Sequence, residues 1–222
     1  MSDVGNAAGP SGGRALDAVI RVTFGVAGGS GPTGRLSTFI FHRVLPRQDE
    51  LFPGEMHEAR FERLCASLTR WFNVLPLEQA LARLATGDLP ARAAAITFDD
   101  GYADNHDIAV PILRRHGLSA TFFVATGFLD GGCMFNDALI EAVRRTERDS
   151  LDLSFLNLPD IHRLDLSNLP ARRQAIDKLI SAAKYLPPSE RAETVRLVAA
   201  TAGVELPRDL MMSTEQIGRA HV

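Results

Sequence analysis

Two adjacent carboxylates, Asp99 and Asp100, close the stretch Ala93-Ala94-Ala95-Ile96-Thr97-Phe98 and are followed by Gly101 and Tyr102. In that pattern one acid can hold a metal ion while its neighbour moves protons. The apolar run 93–96 is small, continuous and stopped by polar residues and a glycine, so it reads as a short buried strand. Acids where a parallel strand gives way to its loop lie on the face where α/β folds assemble their sites. Successive side chains of a regular strand point to opposite faces. Both acids reach one site only if the strand is already breaking, and Gly101 permits that break. A plain solvated turn is the competing reading, because Asp and Gly favour turns for local reasons.

The elements around the pair alternate. Residues 36–41 read as a strand ending at His42, and Pro46, Pro53 and Gly54 mark the loop after it. Over 59–70 the apolar positions Phe61, Leu64, Cys65 and Leu68 recur at helical spacing. Residues 72–74 read as a short strand, and 77–84 as a helix with Pro76 at its start and Gly87 and Pro90 beyond its end. After the strand at 93–98 come a helix over 104–115, stopped at Gly117, and a buried strand over 120–125. Strands and helices alternating at this pitch predict parallel β/α units. Beyond residue 136 the pattern turns helical, over 136–148, 170–185, 188–202 and from 213, with Pro159, Pro187 and Pro207 as breaks. That predicts a helical insertion in an α/β fold. Residues 1–35, rich in Gly, Ser and Pro at 1–13 and 27–35, are expected to be poorly ordered.

Bulk composition narrows the function classes. A chain of 222 residues with 45% apolar content can bury a real core in one domain. Its net charge of −3, without a long basic run, points away from nucleic acid and from anionic membrane surfaces. Cys65 and Cys133 form neither a CxxC motif nor a disulfide framework, and Cys65 reads as a small buried hydrophobe. No stretch is apolar enough to span a bilayer. The first residues lack the charged-then-apolar order of a signal peptide, which reads as a cytoplasmic location.

Thr97-Phe98-Asp99-Asp100-Gly101-Tyr102, followed by a helix and by Ala120-Thr121-Phe122-Phe123, resembles the polysaccharide deacetylase (NodB-homology) family of carbohydrate esterases. Phe41-His42-Arg43-Val44-Leu45-Pro46, Leu51-Phe52-Pro53-Gly54-Glu55-Met56 and Phe135-Asn136-Asp137 add to the resemblance, which covers residues 36–216. It implies an α/β fold, an incomplete distorted (β/α) barrel with a helical insertion over about 136–210 after the fourth strand. It also implies a hydrolase that removes N- or O-acetyl groups from an acetylated polysaccharide or oligosaccharide. A divalent metal, zinc in most members, is implied, held by one Asp and two His. On the matching positions Asp99 resembles the general base and Asp100 the metal-binding acid.

The sequence departs from that pattern in its histidines. The family's metal-binding pair comes from a His-x-x-x-His motif, and His42, His57, His106, His116, His162 and His221 include no pair at that spacing. His106 reads as a solvent-side helix residue and His116 as a C-terminal helix residue favoured by the macrodipole. His57 and His162 read as loop or surface residues. His42, at a strand end, either lines the site or makes a structural hydrogen bond at the rim. Asn136 and Asp137 either touch substrate or form a helix N-cap with a neighbouring acid. Tyr102 either walls the site or packs against its loop.

The last six residues, Ile217-Gly218-Arg219-Ala220-His221-Val222, resemble the translation of a sequencing-library adapter. The expectation is therefore a deacetylase cut before its histidine motif and inactive as it stands. A non-catalytic carbohydrate-binding relative is the alternative, but it has no chemical need for the acid pair. Aspartyl-phosphate phosphatases also use strand-end acids, at Asp-x-Asp spacing, whereas here the two are adjacent.

Overall fold

Every parallel pairing of the main sheet is made with one strand, β3 (Ala93–Phe98), all six residues of which are buried. A computed structural model describes residues 10–156, 158–159 and 161–219. β1 (Ser37–Phe41) runs beside β3 in register from Ser37 opposite Ala94 to Phe41 opposite Phe98. β2 (Asn73–Val74) pairs with the start of β3, and β4 (Thr121–Phe122) with its end. The carbonyls of Ala94 and Phe98 accept from the N–H groups of Leu75 and Phe123, whereas the N–H of Asp99 donates to Phe41. Backbone groups alternate sides along a strand. β2 and β4 therefore lie end to end on one side of β3, with β1 on the other.

The chain divides into two compact units, residues 1–47, 56–124 and 219–222, and residues 48–55 and 125–218. The first holds the parallel sheet. Its helix α2 (Glu58–Trp71) buries Phe61, Cys65 and Leu68, the stripe that helical periodicity predicts. Burial pushes the Cys65 thiol up to about 12, which fits the small-hydrophobe reading. α3 (Leu77–Thr86) ends at Gly87, whose φ of 71° is the left-handed stop that glycine takes freely. A π-helical turn, Asn105–Ala109, leads into α4 (Val110–Arg115). The rings of Phe41, Phe61 and Phe122 gather on Phe98, with centroids 5.3, 5.8 and 5.0 Å away. Glu62 on α2 ties α4 down, bonding Arg115 at 2.5 Å and His116 at 2.6 Å.

Two expectations for this unit need correction. Of residues 1–35, positions 1–9 lie outside the described residues, but Pro10–Gly28 form a helix, α1. It is held by Trp71, whose indole N–H donates to Asp17 at 2.9 Å, and by Phe24, whose ring meets Phe72 at 4.8 Å. Tertiary anchors outweigh the weak helix propensity of its first glycines. The strand expected over 120–125 pairs only at Thr121–Phe122, and Phe123 is 52% exposed. A strand extends only as far as its ladder, and β3 has already ended at Phe98.

The second unit has its own core, in which Leu139, Ile176 and Val198 are buried. α5 (Phe135–Arg145), α6 (Leu169–Ala183), α7 (Pro188–Ala202) and α8 (Thr214–Arg219) stand where helical periodicity placed helices. Asn168 caps α6, its side-chain oxygen accepting from Ala171 N–H at 3.0 Å. The unit is not purely helical, however. β5 (Ser150–Asp152) and β6 (Arg163–Asp165) pair antiparallel, with Leu151 opposite Leu164. Ser150-Leu151-Asp152-Leu153 and Arg163-Leu164-Asp165-Leu166 share a period-two pattern, and all four leucines are buried. That alternation was the available signal. No helix of the described residues is long and apolar enough to cross a membrane.

Candidate active site

The break that lets the acid pair diverge from strand geometry begins at Asp100, one residue earlier than the glycine implies. Asp99 still belongs to the ladder, its N–H donating to the Phe41 carbonyl at 2.8 Å. Asp100 then takes a φ of 73° and Gly101 a φ of 80°, and the Gly101 N–H turns back to the Asp99 carbonyl at 3.0 Å. Two successive left-handed residues make a tight reversal. Asp is among the few side chains that tolerate this region. Gly101 is required twice over, because a Cβ there would also lie 2.8 Å from Val124 Cγ1.

The end of β1 supplies the other wall. His42 Nε2 lies 3.9 Å from Asp100 Oδ2, with the two side chains 60% and 33% exposed. That separation is beyond hydrogen-bonding range. Among the described residues the carboxylates of Asp99 and Asp100 take no hydrogen bond.

One buried carboxylate joins the two strand-end loops. Asp104 Oδ2 accepts from Arg43 Nε at 2.8 Å, while its Oδ1 accepts from the Val44 N–H at 3.1 Å. The Arg43 guanidinium also lies over the Tyr102 ring, 4.7 Å from its centroid, and Tyr102 is buried. Burial pushes the Asp104 carboxyl up, opposed by the Arg43 charge and by the Val44 N–H. Arg43 stands beside His42, and Asp104 one helical turn after Asp100. Sequence reasoning singled out neither, since their pairing is a long-range contact. Asn105, which follows, is fully buried, with its amide unpaired among the described residues.

Asn136 and Asp137 belong to the second unit. They occupy the first turn of α5, whose N-cap is Met134 without a side-chain cap, so the N-cap reading fails by two residues. Asp137 is buried there, an acid at the end of a helix that favours negative charge. The other histidines are engaged elsewhere or peripheral. His106 is half-buried rather than on the solvent side and contacts Asp107 at 2.7 Å, and His116 bonds Glu62. His57 precedes α2, His162 is exposed before β6, and His221 lies outside the described residues.

No group of three or more His, Cys, Asp or Glu side chains placed to hold a metal occurs among the described residues. The unbonded Asp100 carboxylate has the donor chemistry for a divalent cation such as zinc. As the start of a metal site it fits; the donors needed to close that site are fewer than zinc requires.

Residues 86–149, which contain both acids, match the family model "Polysaccharide deacetylase". The Bacillus subtilis (strain 168) protein named "Putative polysaccharide deacetylase YxkH" is 29% identical over 91 residues, covering 40% of this chain. The chain spans 32% of that relative's length. Among solved structures, Streptococcus pyogenes deacetylase PplD in complex with acetate aligns with 44% of this chain and 45% of its own, at 22% identity and a TM-score of 0.39. IcaB from Ammonifex degensii aligns with 77% of this chain and 81% of its own, at 16% identity and a TM-score of 0.36.

Proposed function

We propose, from the premise that the chain belongs to the polysaccharide deacetylase (NodB-homology) family, that it forms part of a hydrolase acting on an acetylated carbohydrate polymer. The observation that carries this reading is the acid pair at the break after β3, inside the stretch that matches the family. In hydrolysis, water oxygen bonds to the acetyl carbon, the bond from that carbon to the sugar nitrogen or oxygen breaks, and acetate leaves. Asp99, whose carboxylate takes no hydrogen bond among the described residues, would take the proton of the attacking water in this reading. The same carboxyl then returns that proton to the departing sugar amine or hydroxyl.

The family is generally metal-dependent. Bound at Asp100, a divalent cation would polarise the acetyl carbonyl and acidify the attacking water. The Asp104–Arg43 pair holds the two loops that present these groups. We read the four-stranded sheet as part of a distorted (β/α) barrel, and the segment over about 136–210 as its insertion.

The family's His-x-x-x-His pair is not in this sequence, so the reading assigns turnover to a protein that supplies it. The 222-residue chain alone is expected to release little acetate. The test is acetate release from N-acetylated and O-acetylated glycans by a version extended through that motif and loaded with zinc. Turnover lost on Asp99→Asn supports the reading. A zinc-loaded extended protein that releases no acetate from either substrate class would favour a carbohydrate-binding role.

A further inference from the structure

The loops after β1 and β3 leave the sheet at one shared rung and are joined again further out. At the rung, the Asp99 N–H donates to the Phe41 carbonyl at 2.8 Å. At the far end, Asp104 Oδ1 accepts from the Val44 N–H at 3.1 Å and Asp104 Oδ2 from Arg43 Nε at 2.8 Å. Segments 41–44 and 99–104 therefore form a closed ring, tied at both ends. That ring carries Asp99 and Asp100.

The outer tie is firm. The Asp104 side chain is 9% exposed, and a carboxylate bonded to a guanidinium makes a short, charge-assisted hydrogen bond. The Arg43 guanidinium also covers the Tyr102 ring, 4.7 Å from its centroid, so Arg43 grips the turn at two of its residues. The ring has strain to contain. Asp100 holds a φ of 73°, a backbone region that a residue with a side chain keeps only where its surroundings impose it. Freed at the Asp104 end, the chain after Asp99 could relax toward the ordinary backbone regions and carry Asp100 away from its neighbour.

We propose that Asp104 is a positioning residue of the acid pair, acting through Arg43 and the Val44 N–H to hold Asp100 in its left-handed turn. This rests on the reading of Asp99 and Asp100 as the hydrolytic centre and assigns a role to a third acid. A reacting group misplaced by about 1 Å costs on the order of a hundredfold in rate. Loosening the ring therefore lowers kcat, while the grip on the rest of the substrate, and with it KM, holds.

The test is amide hydrogen exchange in the 222-residue chain, repeated for Asp104→Asn and Arg43→Gln, with circular dichroism confirming that each is folded. Asn keeps an acceptor for Val44 and removes the charge that faces Arg43. The expected result is exchange at least about tenfold faster at the Asp99 and Gly101 amides, with the α2 amides of Cys65 and Leu68 unchanged. In the extended, zinc-loaded protein the same variants should lower kcat at least about tenfold and keep KM within about twofold. Unchanged exchange at Asp99 and Gly101 in both folded variants would overturn the proposal. Equal acceleration in α2 would overturn it too, because that marks a loss of stability throughout the unit. So would a kcat that stays at the wild-type level. An extended wild type that releases no acetate sinks the deacetylase reading instead, and the exchange result still decides the role of Asp104.

Discussion

Asp99 and Asp100 differ by one bond in the backbone ladder, and that difference argues for different roles. Asp99 is held by the sheet, whereas Asp100 hangs from a left-handed turn beside His42. In an extended, zinc-loaded protein, Asp99→Asn should abolish turnover and keep the metal, and Asp100→Ala should lose both. Metal content measured beside activity separates them; zinc lost equally from both variants would mean that the acids share the ion. Gly101→Ala should destabilise the chain by at least about 1–2 kcal/mol from its left-handed backbone alone, with more from the Val124 contact. Urea unfolding in wild-type and Val124→Ala backgrounds isolates that contact, since the smaller neighbour should restore part of the loss. Equal stability of Gly101→Ala and wild type would show the turn to be compliant. The acid pair, Gly101 and His42 were legible because their types and positions at strand ends carry meaning by themselves. Arg43 and Asp104 were not, because a contact between residues 61 positions apart leaves no local pattern.

At the scale of elements, β3 followed from its continuous apolar run, α2 from apolar residues at helical spacing, and α3 and α7 from the prolines at their starts. The hairpin of β5 and β6 escaped because three-residue strands carry too little alternation to outvote the helices around them. α1 escaped because what stabilises it, Trp71 and Phe72, lies in another element. The tie between α2 and α4 makes a pH prediction. Bonds from Arg115, and then from His116, hold the Glu62 carboxyl below its ordinary value near 4.5. A carboxylate whose folded pKa is depressed stabilises the fold above its unfolded pKa and loses that contribution as pH falls through the folded value. Glu62→Gln should therefore lower the Tm at neutral pH, and the gap to wild type should close progressively as pH falls below the ordinary carboxylate value. A Tm gap that stays constant from neutral to acid would exclude the carboxylate as the tie.

For the whole molecule, the open sheet sets the behaviour of the isolated chain. β1 and β4 present Ile40 at 60% exposure and Phe123, beside β4, at 52%. Their register puts both on the face opposite Phe98. Exposed apolar side chains beside strand edges invite pairing between molecules. The chain should self-associate at rising concentration, and Ile40→Lys with Phe123→Lys should keep it monomeric by light scattering, with little change in far-ultraviolet circular dichroism. Monodisperse wild-type protein with one sharp thermal transition would show that these edges are harmless.

Because every parallel pairing runs through β3, the sheet also has an order of assembly. β1 and β2 are synthesised first, yet Ser37 and Asn73 have no partner until Ala94 and Ala93 emerge. At ribosomal speeds of about 5–20 residues per second, β1 waits on the order of 3–10 s with its backbone unpaired. Helices such as α2 exchange with coil within about a microsecond, so the sheet and not the helices sets the wait. Closing so long a loop is slow, and β3 acts as the latch of the whole unit. A codon change that slows translation just before residue 93 would lengthen that vulnerable interval and lower soluble yield without altering a single amino acid.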